Sequence, residues 1–148
     1  MRRALVAMLG WYLLISPAWA HINCVRDVSS PILLRTAGKS QVFTVFFEQD
    51  DATVGTKARA LIDEVARAFA NLNGKSITIK GHADASEPDG LALSQRRAFA
   101  VERALRTQGL PKKVFVHMAG FGYDEPLVKS ELGKHEPQNR NAIISIEY

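Results

Sequence analysis

Ser76 to Lys80 alternates, with Ile77 and Ile79 on one side, and runs without a spacer into Gly81-His82-Ala83-Asp84; beyond Pro88 and Asp89 the spacing becomes helical and carries Leu93-Ser94-Gln95-Arg96-Arg97-Ala98. A period-2 strand, a short polar loop and a period-3.6 helix in succession open a βαβ unit. Such a unit leaves few options. Its helix must pack back onto a sheet, and its loop must open at the carboxyl end of a strand. In open α/β sheets that crevice is where ligands lodge.

The remaining pattern completes one sheet. Gln41 to Phe47, rich in Val, Thr and Phe, reads as a buried strand. Ala58, Leu61, Ile62, Val65, Phe69 and Leu72 then recur at helical spacing behind Thr53 or Thr56 as N-cap, and Asn73-Gly74 ends that helix. The second helix runs from an Asp89 N-cap to about Gln108, with Gly109 as its stop. Val114 to Met118 and Ala142 to Glu147 are the last strands. The order βαβαββ predicts an α/β (α+β) sandwich, two helices packed on one face of a four-stranded mixed sheet, over 41–148.

The amino-terminal segment belongs to export rather than to this core. Arg2 and Arg3 precede the apolar run Ala4 to Ile15 and the small-x-small site Ala18-Trp19-Ala20, so 1–20 reads as a cleavable signal peptide. The apolar run is shorter than the roughly 20 residues of a bilayer span, and no later stretch reaches that length. A mature chain of roughly 128 residues suffices for one domain with its own core. Residues 21–40 read as a linker or an added edge strand. Cys24, a lone cysteine preceded by His21, Ile22 and Asn23 rather than by small residues, is a free thiol or an intermolecular bridge, not a lipid attachment point. The expected location is the periplasm. The formal charge of +4 includes the two leader arginines, so the exported part is only mildly basic and nucleic acid is not an expected partner.

Asp84 and Arg97 carry the functional argument. At about 100° per residue, Leu93, Ala100, Val101, Ala104 and Leu105 form one face of the second helix, and Arg97 falls near its middle. Helical side chains lean towards the amino terminus, so the guanidinium reaches back to the loop that bears Asp84. Two readings fit: an intramolecular salt bridge pinning loop to helix, or a grip on a ligand that carries both signs of charge.

The series Gly-His-Ala-Asp, Leu-Ser-x-x-Arg-Ala, Gly120-Phe121-Gly122-Tyr123-Asp124-Glu125-Pro126 and Asn139-Arg140 resembles, in order, the pattern of the OmpA-like peptidoglycan-binding domain, from roughly Val42 to Tyr148. The resemblance implies a non-catalytic protein that binds the peptide stem of peptidoglycan. Asp84 would accept from the ammonium of diaminopimelate and Arg97 would hold its carboxylate in a two-point contact. Arg140 would add a second cation and Asp50 a pocket-lining acid, the alternatives being a surface arginine and a solvated loop carboxylate. The chain departs from the pattern at Ala83, Gly90 and Asn141, and its loop from Asp84 to Leu93 is about two residues short. The resemblance further implies tethering of an envelope partner to the wall, through the amino-terminal segment, Cys24 or Phe99. The alternative is a protein-interaction module of an envelope or secretion assembly with weak or lost wall binding.

Other chemistries find no footing. His82, Asp84, Glu87 and Asp89 lack a second histidine or cysteine at ligand spacing, so neither a metal nor another cofactor is expected. Carboxylates in one short loop do not flank a sugar from opposite sides, and no nucleophile motif is present, so the chain does not read as an enzyme. Phe99 points about 160° from the Arg97 stripe, where it is covered by the 21–39 segment or exposed for docking.

Overall fold

The computed structural model describes residues 38–131 and 133–148 of the protein. The expected signal peptide, Cys24 and nearly all of the 21–40 segment read as a linker or edge strand lie outside the described residues. Four strands, β1 (Ser40–Phe46), β2 (Ser76–Gly81), β3 (Phe115–Gly120) and β4 (Asn141–Glu147), form one sheet in the order β1-β4-β2-β3. β4 runs antiparallel to β1 and β2, while β2 and β3 are parallel. Helices α1 (Thr56–Asn71) and α2 (Gly90–Thr107) cover one face, which is the architecture expected from the sequence.

Alternation builds the core. Val45 and Phe47, Ile77 and Ile79, and Ala142, Ile144 and Ile146 point inward, against Ile62, Val65 and Phe69 of α1 and Ala98, Val101 and Leu105 of α2. The strand ends lie within two residues of expectation; the caps differ. Gly55 rather than a threonine begins α1, because the Thr53 hydroxyl is engaged with the Asp51 carboxylate at 2.6 Å. Asp89 does begin α2, but in the left-handed region (φ 51°) and without a side-chain capping bond. Gly109 (φ 96°) follows the last turn, as its position in the sequence suggests.

The topology decides where a site can form. β1, β2 and β3 point the same way and β4 the opposite way, so the segments after Phe46, Gly81 and Gly120 and the one before Asn141 all meet at one end of the sheet. α2 starts at that end and presses hard on β2. A Cβ on Gly81 would stand 2.0 Å from the Ser94 carbonyl oxygen, so only glycine allows this approach.

Candidate functional site

Arg97, one turn beyond Ser94 on the buried face of α2, has a side chain with 0% exposure. Backbone from two of the four converging segments, those after Phe46 and Gly81, surrounds it. Nε donates to the Asp51 carbonyl at 2.9 Å, Nη1 to the His82 carbonyl at 3.1 Å and Nη2 to the Glu48 carbonyl at 3.0 Å. The Phe47 ring lies beside the guanidinium, 5.3 Å from its carbon. Three of the five N–H groups are thus used before any carboxylate is considered.

Glu87 takes the other two. Its carboxylate, also with 0% exposure, accepts from Nη2 at 2.6 Å and from Nη1 at 2.7 Å in a fork-to-fork pair. The Asp50 N–H donates to one Glu87 oxygen and the Asp84 N–H to the other, each at 2.8 Å. The result is a cradle of four donors around one carboxylate. Burial pushes the Glu87 carboxyl up, but Arg97 and the two amides outweigh burial and hold it below its ordinary value. Tyr123 fixes the loop from outside, its hydroxyl donating to the Glu87 carbonyl and accepting from Gly90 N–H.

Asp84 sits beside this pair. Its Oδ2 accepts from the Ser86 hydroxyl at 2.7 Å and from the Glu136 N–H at 3.0 Å, whereas Oδ1 is buried and has no hydrogen-bond partner. Burial raises the Asp84 carboxyl; the Ser86 hydroxyl, the Glu136 and Ser86 amides and the nearby Arg140 charge bring the net shift downward, so the group is an anion. Arg140 is half-buried, with Nε enclosed and unpartnered. Four enclosed, unpartnered side-chain atoms therefore occur at this end of the sheet among the described residues, His82 Nε2, Asn141 Oδ1, an acceptor on the Asp84 carboxylate and a donor on the Arg140 guanidinium, the last two of opposite charge.

The sequence placed Asp84 and Arg97 together, and they are joined through Glu87. The correction concerns the charges. Arg97 is neutralised by Glu87, not by Asp84, and all of its donors are occupied. Asp50 takes part through its backbone N–H in a left-handed conformation (φ 54°), while its side chain is exposed. Asn139 serves structure, its side chain bonding the backbone of Val128 at both N–H and carbonyl. Glu87 is the residue that sequence reasoning missed as a partner; the signal available was three acids in a shortened loop facing one buried arginine.

His82 supports the loop. Its Nδ1–H faces the Asp124 carbonyl at 3.1 Å, its ring stacks on Phe121, and burial lowers its pKa. The Gly120–Gly122 turn is strapped to the same loop by Phe121 N–H to Gly81 O, Ala83 N–H to Gly122 O and Gly122 N–H to the Ser94 hydroxyl. Phe99 is 58% exposed and borders a separate groove with Arg59 and Arg103. Among the described residues no group of His, Cys, Asp and Glu is arranged to hold a metal, and no helix is long and apolar enough to cross a membrane.

Comparison with known proteins agrees with this architecture. The model of the OmpA family matches residues 46–140. A peptidoglycan-associated lipoprotein of Brucella melitensis is 32% identical over 116 residues, covering 73% of this chain and 68% of the relative. An outer membrane protein of Gluconacetobacter diazotrophicus is 30% identical over 113 residues, covering 71% of this chain but only 30% of that longer protein. The crystal structure of the peptidoglycan-associated lipoprotein from Burkholderia pseudomallei superimposes with a TM-score of 0.62 at 27% identity, covering 70% of this chain and 89% of that one.

Proposed function

Because the chain belongs to the OmpA family, we propose that it binds peptidoglycan without chemistry, taking the diaminopimelate headgroup of a peptide stem and so holding an envelope partner to the wall from the periplasm. The relatives described above are named for the outer membrane and for association with peptidoglycan, none for a catalysed reaction. The observation that carries the reading is the cradle around Arg97. It is complementary to a carboxylate, since a carboxylate fills it with four charge-assisted or amide hydrogen bonds. Next to it lies a buried, anionic and unsatisfied Asp84 oxygen, a fitting acceptor for an ammonium group.

In this reading Asp84 receives the ammonium and Arg97 the carboxylate. Arg140 is a second cation for the headgroup, and Asp50 contributes its amide to the cradle. Charged hydrogen bonds of about 1.5 to 3 kcal/mol each, two or three in number, amount to roughly millimolar to micromolar affinity for one stem. On a polymer that repeats the stem, rebinding keeps such a protein attached although each contact is brief.

Sedimentation with purified sacculi tests the proposal. Wild-type protein pellets with the wall, and Asp84→Asn, which keeps the shape and removes the charge, remains largely in the supernatant. Equal pelleting of the two would overturn it. One observation favours a second reading, a protein-interaction module with lost wall binding: the Arg97 donors are all satisfied internally. In that case neither protein pellets.

A further inference from the structure

We infer that Glu87 is an internal ligand of the site, a stand-in carboxylate that a wall-derived carboxylate must displace. This rests on the proposed function and adds to it a self-occupied state. Several features separate Glu87 from an ordinary structural ion pair. Its carboxylate is held by backbone N–H groups from two different loops as well as by the guanidinium fork, so every favourable direction around both oxygens is used. That is how a protein receives a carboxylate ligand. The residue comes from the exposed end of a short loop in which Pro88 and Asp89 face solvent and Asp89 holds a left-handed conformation (φ 51°). Its neighbour Asp84 keeps a buried oxygen without a partner, so the satisfied carboxylate slot adjoins an unsatisfied acceptor.

Exchange is chemically balanced. One carboxylate leaves the guanidinium and another enters, the charge of the buried site is unchanged, and Glu87 moves with its loop towards water. The cost lies in the loop contacts: the Tyr123 hydroxyl to the Glu87 carbonyl, Gly133 N–H to the Ala85 carbonyl, and His135 Nδ1–H to the Ser86 hydroxyl, whose own proton goes to Asp84. A tethered competitor acts at an effective concentration of about millimolar or more, so the observed affinity is the intrinsic one reduced by the fraction of molecules with the slot open. A lone headgroup competes poorly with Glu87. A polymer that presents many headgroups competes well.

The test uses the full mature chain and two probes, meso-diaminopimelate and sodium acetate, titrated into wild type, Glu87→Gln and Glu87→Ala and followed by calorimetry and thermal unfolding. We expect diaminopimelate to bind either variant at least tenfold more tightly than wild type. Acetate, which can fill the emptied slot, should raise the melting temperature of Glu87→Ala and leave wild type unchanged. If folded variants gain no carboxylate affinity, Glu87 is a structural strut and the inference is overturned. If both variants unfold and neither probe restores them, it is likewise overturned. Pelleting of wild type with sacculi is a separate readout: a strut outcome with intact pelleting removes the self-ligand and leaves wall binding standing, whereas carboxylate rescue without any pelleting retains the slot and removes the wall.

Discussion

At the scale of single residues, the decisive finding is that one buried arginine has five donors and five acceptors. A buried ion pair does not stabilise a fold much relative to apolar residues of the same volume, because both charges lose their hydration. Breaking it is different. Removal of either partner leaves an uncompensated charge in a site with no exposure, at a cost of about 3 to 5 kcal/mol. Urea titrations should therefore show Glu87→Ala and Arg97→Ala each losing stability on that scale, while the double variant Glu87→Leu/Arg97→Met loses far less than the sum. Additive losses would mean that the two groups do not depend on one another. Arg97 itself was visible in the sequence, as a charge in the middle of an apolar helical stripe. Its partner was not, because a loop has no period. The shortened loop was readable from spacing, but the positive φ at Asp89 was not, nor which of the loop's three acids faces inward.

Secondary-structure elements were more legible, since periods of 2 and 3.6 are written along the chain while capping is decided by local competition. Asp51 removes Thr53 from contention for α1, and a left-handed Asp89 begins α2 without using its acid. The tight approach of α2 to β2 was also hidden, although glycines mark it. A methyl group on Gly81 would collide with backbone rather than with a flexible side chain, so Gly81→Ala must shift either β2 or the first turns of α2. Overpacking of that kind costs about 1 to 3 kcal/mol. The same shift moves Arg97, one turn further along. Gly81→Ala is therefore expected to melt earlier than wild type and, where still folded, to bind sacculi less well. Unchanged melting would show that the helix tolerates a wider spacing.

On the scale of the whole molecule, a single topological fact gathers the site: three strands end and a fourth begins at the same edge of the sheet, so four connecting segments and one helix share a small polar cluster. That cluster also governs how the fold responds to acid. Burial lowers the pKa of His82 below its ordinary 6.5, so the folded protein keeps the ring neutral while the unfolded chain takes up a proton below about that pH. Stability is complete above 6.5 and declines as the pH falls towards the lowered value. Glu87 and Asp84 are also lowered, from ordinary values of 4.5 and 3.8, so their contribution is present above those values and is lost as the pH drops through the folded ones. Both effects have the same sign, and the urea midpoint should fall in two stages, a shallow one below about pH 6.5 and a steeper one below about pH 4.5. His82→Phe, which keeps the stack on Phe121 but cannot titrate, should flatten the first stage and spare the second. Glu87→Gln should reduce the second stage and spare the first. A first stage that survives in His82→Phe would assign it to another group and break the link between the buried ring and the acid response of the fold.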